Sequence, residues 1–134
     1  MGKFTQERKA ILNIIREELR NNNYLPILFN FEKPGSRFHT ETVNTLARLA
    51  RLVVADFTDG RYVLEEVSQI VRRVDIPVKP LLSYGEKEPE ILSNLRKHYS
   101  IRDTFFYQHN DNLAQDFKTE IISFINGEEK KESL

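Results

Sequence analysis

Apolar and polar positions along this chain alternate in blocks whose period switches between that of a helix and that of a strand. Ile11, Ile14, Ile15 and Leu19 recur at helical spacing from about Gln6 to Asn22. Thr5 stands where it can cap that helix, and Glu7 in its first turn suits the dipole. Asn21–Asn23 fits its end, and Tyr24–Phe31 (YLPILFNF) then predicts a strand, with Pro26 confined to its start or to an edge. Glu32–Thr40 is a loop built on the turn pair Pro34-Gly35. A helix beginning near Thr40 or Glu41 buries Val43, Leu46, Ala47 and Ala50. The short aliphatic run Leu52–Phe57 predicts a strand covered on both faces.

An acidic turn, Asp56–Gly60, follows. At about 100° per residue, Val63, Leu64, Val67, Ile70, Val71 and Val74 then form one apolar helical stripe. Asp75-Ile76-Pro77 stops that helix, and Val78–Ser83 predicts a third strand with Pro80 inside it. Prolines in or beside two strands imply weakly paired sheet margins. A helix near Pro89–Tyr99 buries Ile91, Leu92 and Leu95, and Thr104–Gln108 has the aromatic composition of a short strand. The final helix, near Asp111–Ile125, buries Leu113, Phe117, Ile121 and Phe124 or Ile125.

This alternation predicts the α/β class: a three-layer open parallel sheet. Residues 1–126 form one domain, and the charged tail Gly127–Leu134 (GEEKKESL) is expected to be disordered. Such a fold normally begins with a central strand. Met1–Phe4 is too short to supply one, so the sheet is expected to lack most of its first strand. A truncated start, a strand lent by a partner or an unusual sheet would each explain this.

The 134 residues carry twenty basic and twenty acidic side chains, so no nucleic-acid footprint is expected. No apolar run approaches the ~20 residues that cross a bilayer, so no membrane partner is expected either. Absence of cysteine excludes disulfides and thiolate metal sites and fits a reducing, cytoplasmic setting. His39, His98 and His109 lack ligand spacing, so no metal is expected.

In an open α/β sheet, ligands lie beyond the carboxyl ends of the strands. Asp56, Thr58 and Asp59 occupy that end here. On the helix that follows, Glu65 points away from the apolar stripe, whereas Glu66 lies at its margin beside Val63 and Ile70. A half-sheltered carboxylate at a ligand edge is a candidate for chemistry; a boundary residue of an amphipathic helix is the plainer reading.

Three pieces of the chain carry a resemblance: Pro34-Gly35 after YLPILFNF, the helix Thr40–Arg51, and VVADFTDGRYVLEEV (Val53–Val67). Over about Thr5 to Leu82 the chain resembles a Toll/interleukin-1-receptor (TIR) type domain and its nucleoside 2-deoxyribosyltransferase-like relatives. The version it resembles occurs in bacterial proteins with pentapeptide repeats, which this chain lacks. The resemblance implies a flavodoxin/TIR-like sheet, with the family's catalytic glutamate falling on Glu66. It further implies hydrolysis of NAD, or a related nucleotide, at the N-glycosidic bond, as an NAD nucleosidase does, with no cofactor beyond that substrate. Asp56, Thr58 and Asp59 would meet sugar or phosphate groups, and Arg37 and Arg61 the pyrophosphate. Homo-oligomerisation through the Glu32–Phe38 loop and its adjoining helix is implied as well. Two alternatives stand beside this: a non-catalytic TIR-like interaction or signalling module, and a deoxyribosyltransferase-like enzyme using Asp56 and Glu66.

Overall fold

The computed structural model describes residues 6–28, 37–58 and 61–132. They run in the order α1 (Gln6–Asn21), α2 (Arg37–Leu49), β1 (Val53–Asp56), α3 (Arg61–Arg73), β2 (Val78–Ser83), α4 (Glu90–Arg96), β3 (Phe105–Tyr107) and α5 (Leu113–Glu132). The three strands pair in parallel in the order β1-β2-β3. Alternating side chains split the core in two. Val53, Ala55, Val78 and Leu82 pack with Ala47 of α2, Val63, Val67 and Ile70 of α3, and Leu92 and Leu95 of α4. Val54, Leu81 and Tyr107 pack on the other face with Ile11 and Ile15 of α1 and Phe117, Ile121 and Ile125 of α5. Helices therefore cover both faces, the three-layer α/β arrangement expected. Among the described residues no helix is long and apolar enough to cross a membrane.

Four expectations need correction. Residues 24–28 of the predicted strand YLPILFNF join no ladder, and its remaining residues lie outside the described ones. Tyr24, Pro26 and Leu28 are half-buried while Leu25 and Ile27 are exposed, so the path alternates like a strand without pairing as one. α2 begins at Arg37, inside the expected loop, because nothing after Pro34-Gly35 breaks a helix. α4 is shorter than expected and turns Ile91 outward, leaving Leu92 and Leu95 to anchor it. The tail expected to be disordered is helical as far as Glu132.

Pro80 sits in the central strand rather than at a margin, and the ladder explains how. The Val78 N–H reaches Ser100 O (2.9 Å) on the β3 side, so Pro80, two residues on, turns its nitrogen to that same side. There the neighbouring chain has left the ladder, between the Ile101 bridge and Phe105. No donor is demanded where proline has none to give. Gly85 then reverses the chain after β2 with φ +93°, a left-handed conformation costly for any residue with a Cβ.

Ion pairs hold the late elements together. Arg102 grips Glu128 of α5 with two of its nitrogens, Nε donating to Oε1 and Nη2 to Oε2 at 3.0 Å. Arg96 Nη2 donates to Glu88 Oε1 (2.6 Å) and to Thr104 Oγ1 (3.0 Å). The Glu128 pair fastens the end of α5, whose Glu and Lys residues are also good helix formers, and both favour helix as far as Glu132. The Arg102 hydrogen bonds hold the Glu128 carboxyl below its ordinary value of 4.5, and those from Arg96 and Thr104 do the same for Glu88. Each folded carboxyl releases its proton more readily than its unfolded counterpart. Their stabilisation is therefore complete above pH 4.5 and is lost as pH falls through the lower folded values. Urea titrations should show stability dropping below that pH, with a shallower fall in Arg102→Gln. An equally steep acid limb in the variant would dismiss this pair as its source.

Candidate site at the carboxyl end of the sheet

β1 is Val-Val-Ala-Asp, with all four residues buried. Its aliphatic part fills the two cores and delivers Asp56 to the carboxyl end. There the Asp56 Oδ1 accepts the Thr58 N–H at 3.0 Å. An aspartate that binds the backbone two residues on makes an Asx turn, which ends the strand. Asp56 Oδ2 accepts the Tyr107 hydroxyl at 2.9 Å. The single Tyr107 proton is spent there, so in the 3.0 Å contact between Thr58 Oγ1 and Tyr107 Oη the threonine must donate. Thr58 Oγ1 in turn accepts the Ser83 N–H at 2.8 Å. One directed chain thus runs from the end of β2 through Thr58 and Tyr107 to Asp56, tying together the ends of all three strands.

This network is sealed. Asp56 is 1 % exposed, Thr58 2 % and Tyr107 0 %. The Tyr107 ring is held by Phe117 (centroids 5.1 Å apart) and by His109 (5.4 Å, edge-on). A hydroxyl in so apolar a place needs a partner, and Asp56 is that partner. Asp56 and Thr58, candidates for ligand contact, are engaged here with protein groups, and these hydrogen bonds fix the strand ends.

The two glutamates divide as their helical angles predict. Glu65 is exposed and Glu66 is 6 % exposed, on the α3 face that also carries the buried Val63, Val67 and Ile70. Carboxylates are seldom buried to this degree without a specific partner or task. Arg37 and Arg61 are the first residues of α2 and α3; their side chains, and all of Asp59 and the 32–36 part of the proposed association loop, lie outside the described residues. Among the described residues no cluster of His, Asp or Glu could hold a metal ion.

Sequence reasoning missed Tyr107. Its signal was a tyrosine spaced two from Phe105 in an aromatic strand, which puts its hydroxyl on a core face.

Two cavities lie elsewhere, both near the amino ends of the strands. One, of about 690 Å³, is walled by α1, the 22–28 segment, the end of α2 and Leu52–Val54. The other, of about 350 Å³, lies between Val71–Ile76 and His98–Ser100.

No protein-family model matches the chain, and no curated protein or solved structure gives a significant match.

Proposed function

We propose that this chain is a TIR-like domain that cleaves the N-glycosidic bond of NAD or a closely related nucleotide, with Glu66 as its essential carboxylate. The observation that carries the reading is the burial of Glu66, beside an exposed Glu65, on the helix that follows the carboxyl end of β1. Cleaving the bond between ribose C1′ and the nicotinamide nitrogen builds positive charge on the ribose ring. An anion withdrawn from water stabilises that charge more strongly than a hydrated one. The bonding pair leaves with nicotinamide, which departs neutral, so no strong general acid is needed. Water then bonds to C1′ and gives up a proton. Asp56, Thr58 and Tyr107 act as positioning residues that keep the strand ends rigid beneath the reacting sugar, and Arg37 and Arg61, at two helix starts, suit the pyrophosphate.

Purified protein incubated with NAD should release nicotinamide. Glu66→Ala should reduce the rate by about 10²–10³-fold, while Glu65→Ala should leave it unchanged. Equal activity in the Glu66 variant, or no release at high protein concentration, would overturn the reading.

A second reading, a non-catalytic interaction module, is favoured by one surface. Leu25 (88 % exposed), Ile27 and Leu49 (78 %) are large apolar side chains open to solvent near one another. Failure of NAD turnover would leave this as the better account.

A further inference from the structure

We propose that the end of the molecule where the strands begin docks on a lipid surface rich in anionic headgroups. Helices that connect parallel strands run back against them, so α2, α3 and α4 finish where β1, β2 and the Ile101 bridge start. The last turns of α1 and α5 reach the same end. Asn22 and Glu129 share a cavity wall with Leu52, and Glu128 is held by Arg102, whose N–H bonds to Val78 O. This face lies opposite the end that carries Asp56 and Glu66, so the inference stands whether or not the chain turns over NAD.

Exposed cations stand on this face. Arg48 and Arg51 lie on either side of the end of α2, Arg72 and Arg73 close α3, Lys97 follows α4, and Lys130 is in the last turn of α5. None of them forms an ion pair among the described residues. A basic residue in a last turn complements the helix dipole. That accounts for one cation at each helix, but α3 carries two, and Arg51 and Lys97 lie beyond their helices. The acids of this end are mostly engaged: Arg102 holds Glu128, Glu129 accepts the Tyr24 hydroxyl, and Glu17 lies 3.5 Å from Arg20. Asp75, which accepts the Ser100 hydroxyl at 3.2 Å, shares the second cavity with Arg72, Arg73 and His98. The face is therefore positive although the whole chain is neutral.

Large aliphatic side chains project beside these cations. Leu25 is 88 %, Leu49 78 % and Ile27 58 % exposed, and Leu49 stands between Arg48 and Arg51 in the chain. Insertion at the boundary of headgroups and acyl chains removes such side chains from water, while the neighbouring guanidinium groups meet phosphate oxygens. That pairing separates a membrane from other polyanions. A nucleic acid would answer the cations and leave Leu25 and Leu49 in water, because bases stack on aromatic rings. A contact that lies on the bilayer needs no spanning helix, and the described residues contain none.

The test is flotation of the full chain with vesicles of phosphatidylcholine alone, or of equal parts phosphatidylcholine and phosphatidylserine. Binding to the anionic vesicles only is expected, weakening as salt is raised. Each basic residue near such a surface strengthens binding by roughly fivefold. Reversing two of them, Arg72→Glu with Arg73→Glu, should therefore weaken it by at least about tenfold. Leu49→Asp should weaken it as well, through the lost insertion. Lys87→Glu with Lys118→Glu makes the same charge change at exposed positions away from this face and should cost far less. The inference is overturned by equal binding to neutral vesicles, by undiminished binding of the Arg72 and Arg73 variant, or by an equal loss in the Lys87 and Lys118 control. Capture of duplex DNA or RNA in place of vesicles, weakened by the arginine changes but not by Leu49→Asp, would overturn it in favour of a nucleic acid.

Discussion

Phe117→Ala is expected to lower the unfolding free energy by about 3–5 kcal/mol, a large fraction of the ~5–15 kcal/mol that a domain possesses. Phe117 is fully buried on α5 and meets Phe105 edge-on at 5.7 Å and Tyr107 at 5.1 Å. Its removal opens a void between α5 and the shortest strand, which has little pairing of its own with which to close it. α1 packs on α5, so a loosened α5 also weakens the hold on Ile11 and Ile15. Phe117→Leu keeps much of the volume and should cost less than half as much. Equilibrium urea unfolding measures both. A loss under 1 kcal/mol for the alanine variant would mean that α5 is not docked on β3 as described.

The elements easiest to read in the sequence were those with one unambiguous period. α3 shows a clean stripe, and its buried residues are Val63, Val67, Ile70 and Val71, with Leu64 and Val74 half-sheltered. β2 coincides with the predicted Val78–Ser83. Val53–Asp56 was legible because a short aliphatic run between turn residues has few other uses. Residues 24–28 misled because composition and alternation report an extended path, whereas a ladder also needs a neighbour in register. The tail misled for the opposite reason: its charge suggested disorder, while Glu128 finds Arg102 across 26 residues of sequence.

At the candidate site the legible part was angular. Helical geometry alone separates Glu66 from Glu65, and the structure buries the first and exposes the second. What sequence could not supply was the partner of Asp56. A polar residue at the end of a buried strand can serve a ligand or the protein itself. The choice here depends on Tyr107, 51 residues away. No local pattern announces a contact of that separation.

That partnership carries the second large effect. Tyr107→Phe keeps the ring, its packing on Phe117 and nearly all its volume, so the change isolates one hydroxyl. Without it, Asp56 Oδ2 loses its donor and the Thr58 hydroxyl its acceptor, both where almost no water reaches. Stranding buried polar groups costs about 1–3 kcal/mol each, so a loss of about 2–4 kcal/mol is expected. Thr58→Val removes the middle of the same chain and strands the Ser83 N–H as well. Because each substitution breaks one shared network, the double variant should lose clearly less than the sum of the singles. Hydrogen exchange should quicken first at the Thr58 and Ser83 amides, the donors nearest the break. Strict additivity, or a Tyr107→Phe cost below 0.5 kcal/mol, would show that the three strand ends are held by packing alone and that Asp56 is free to serve a ligand after all.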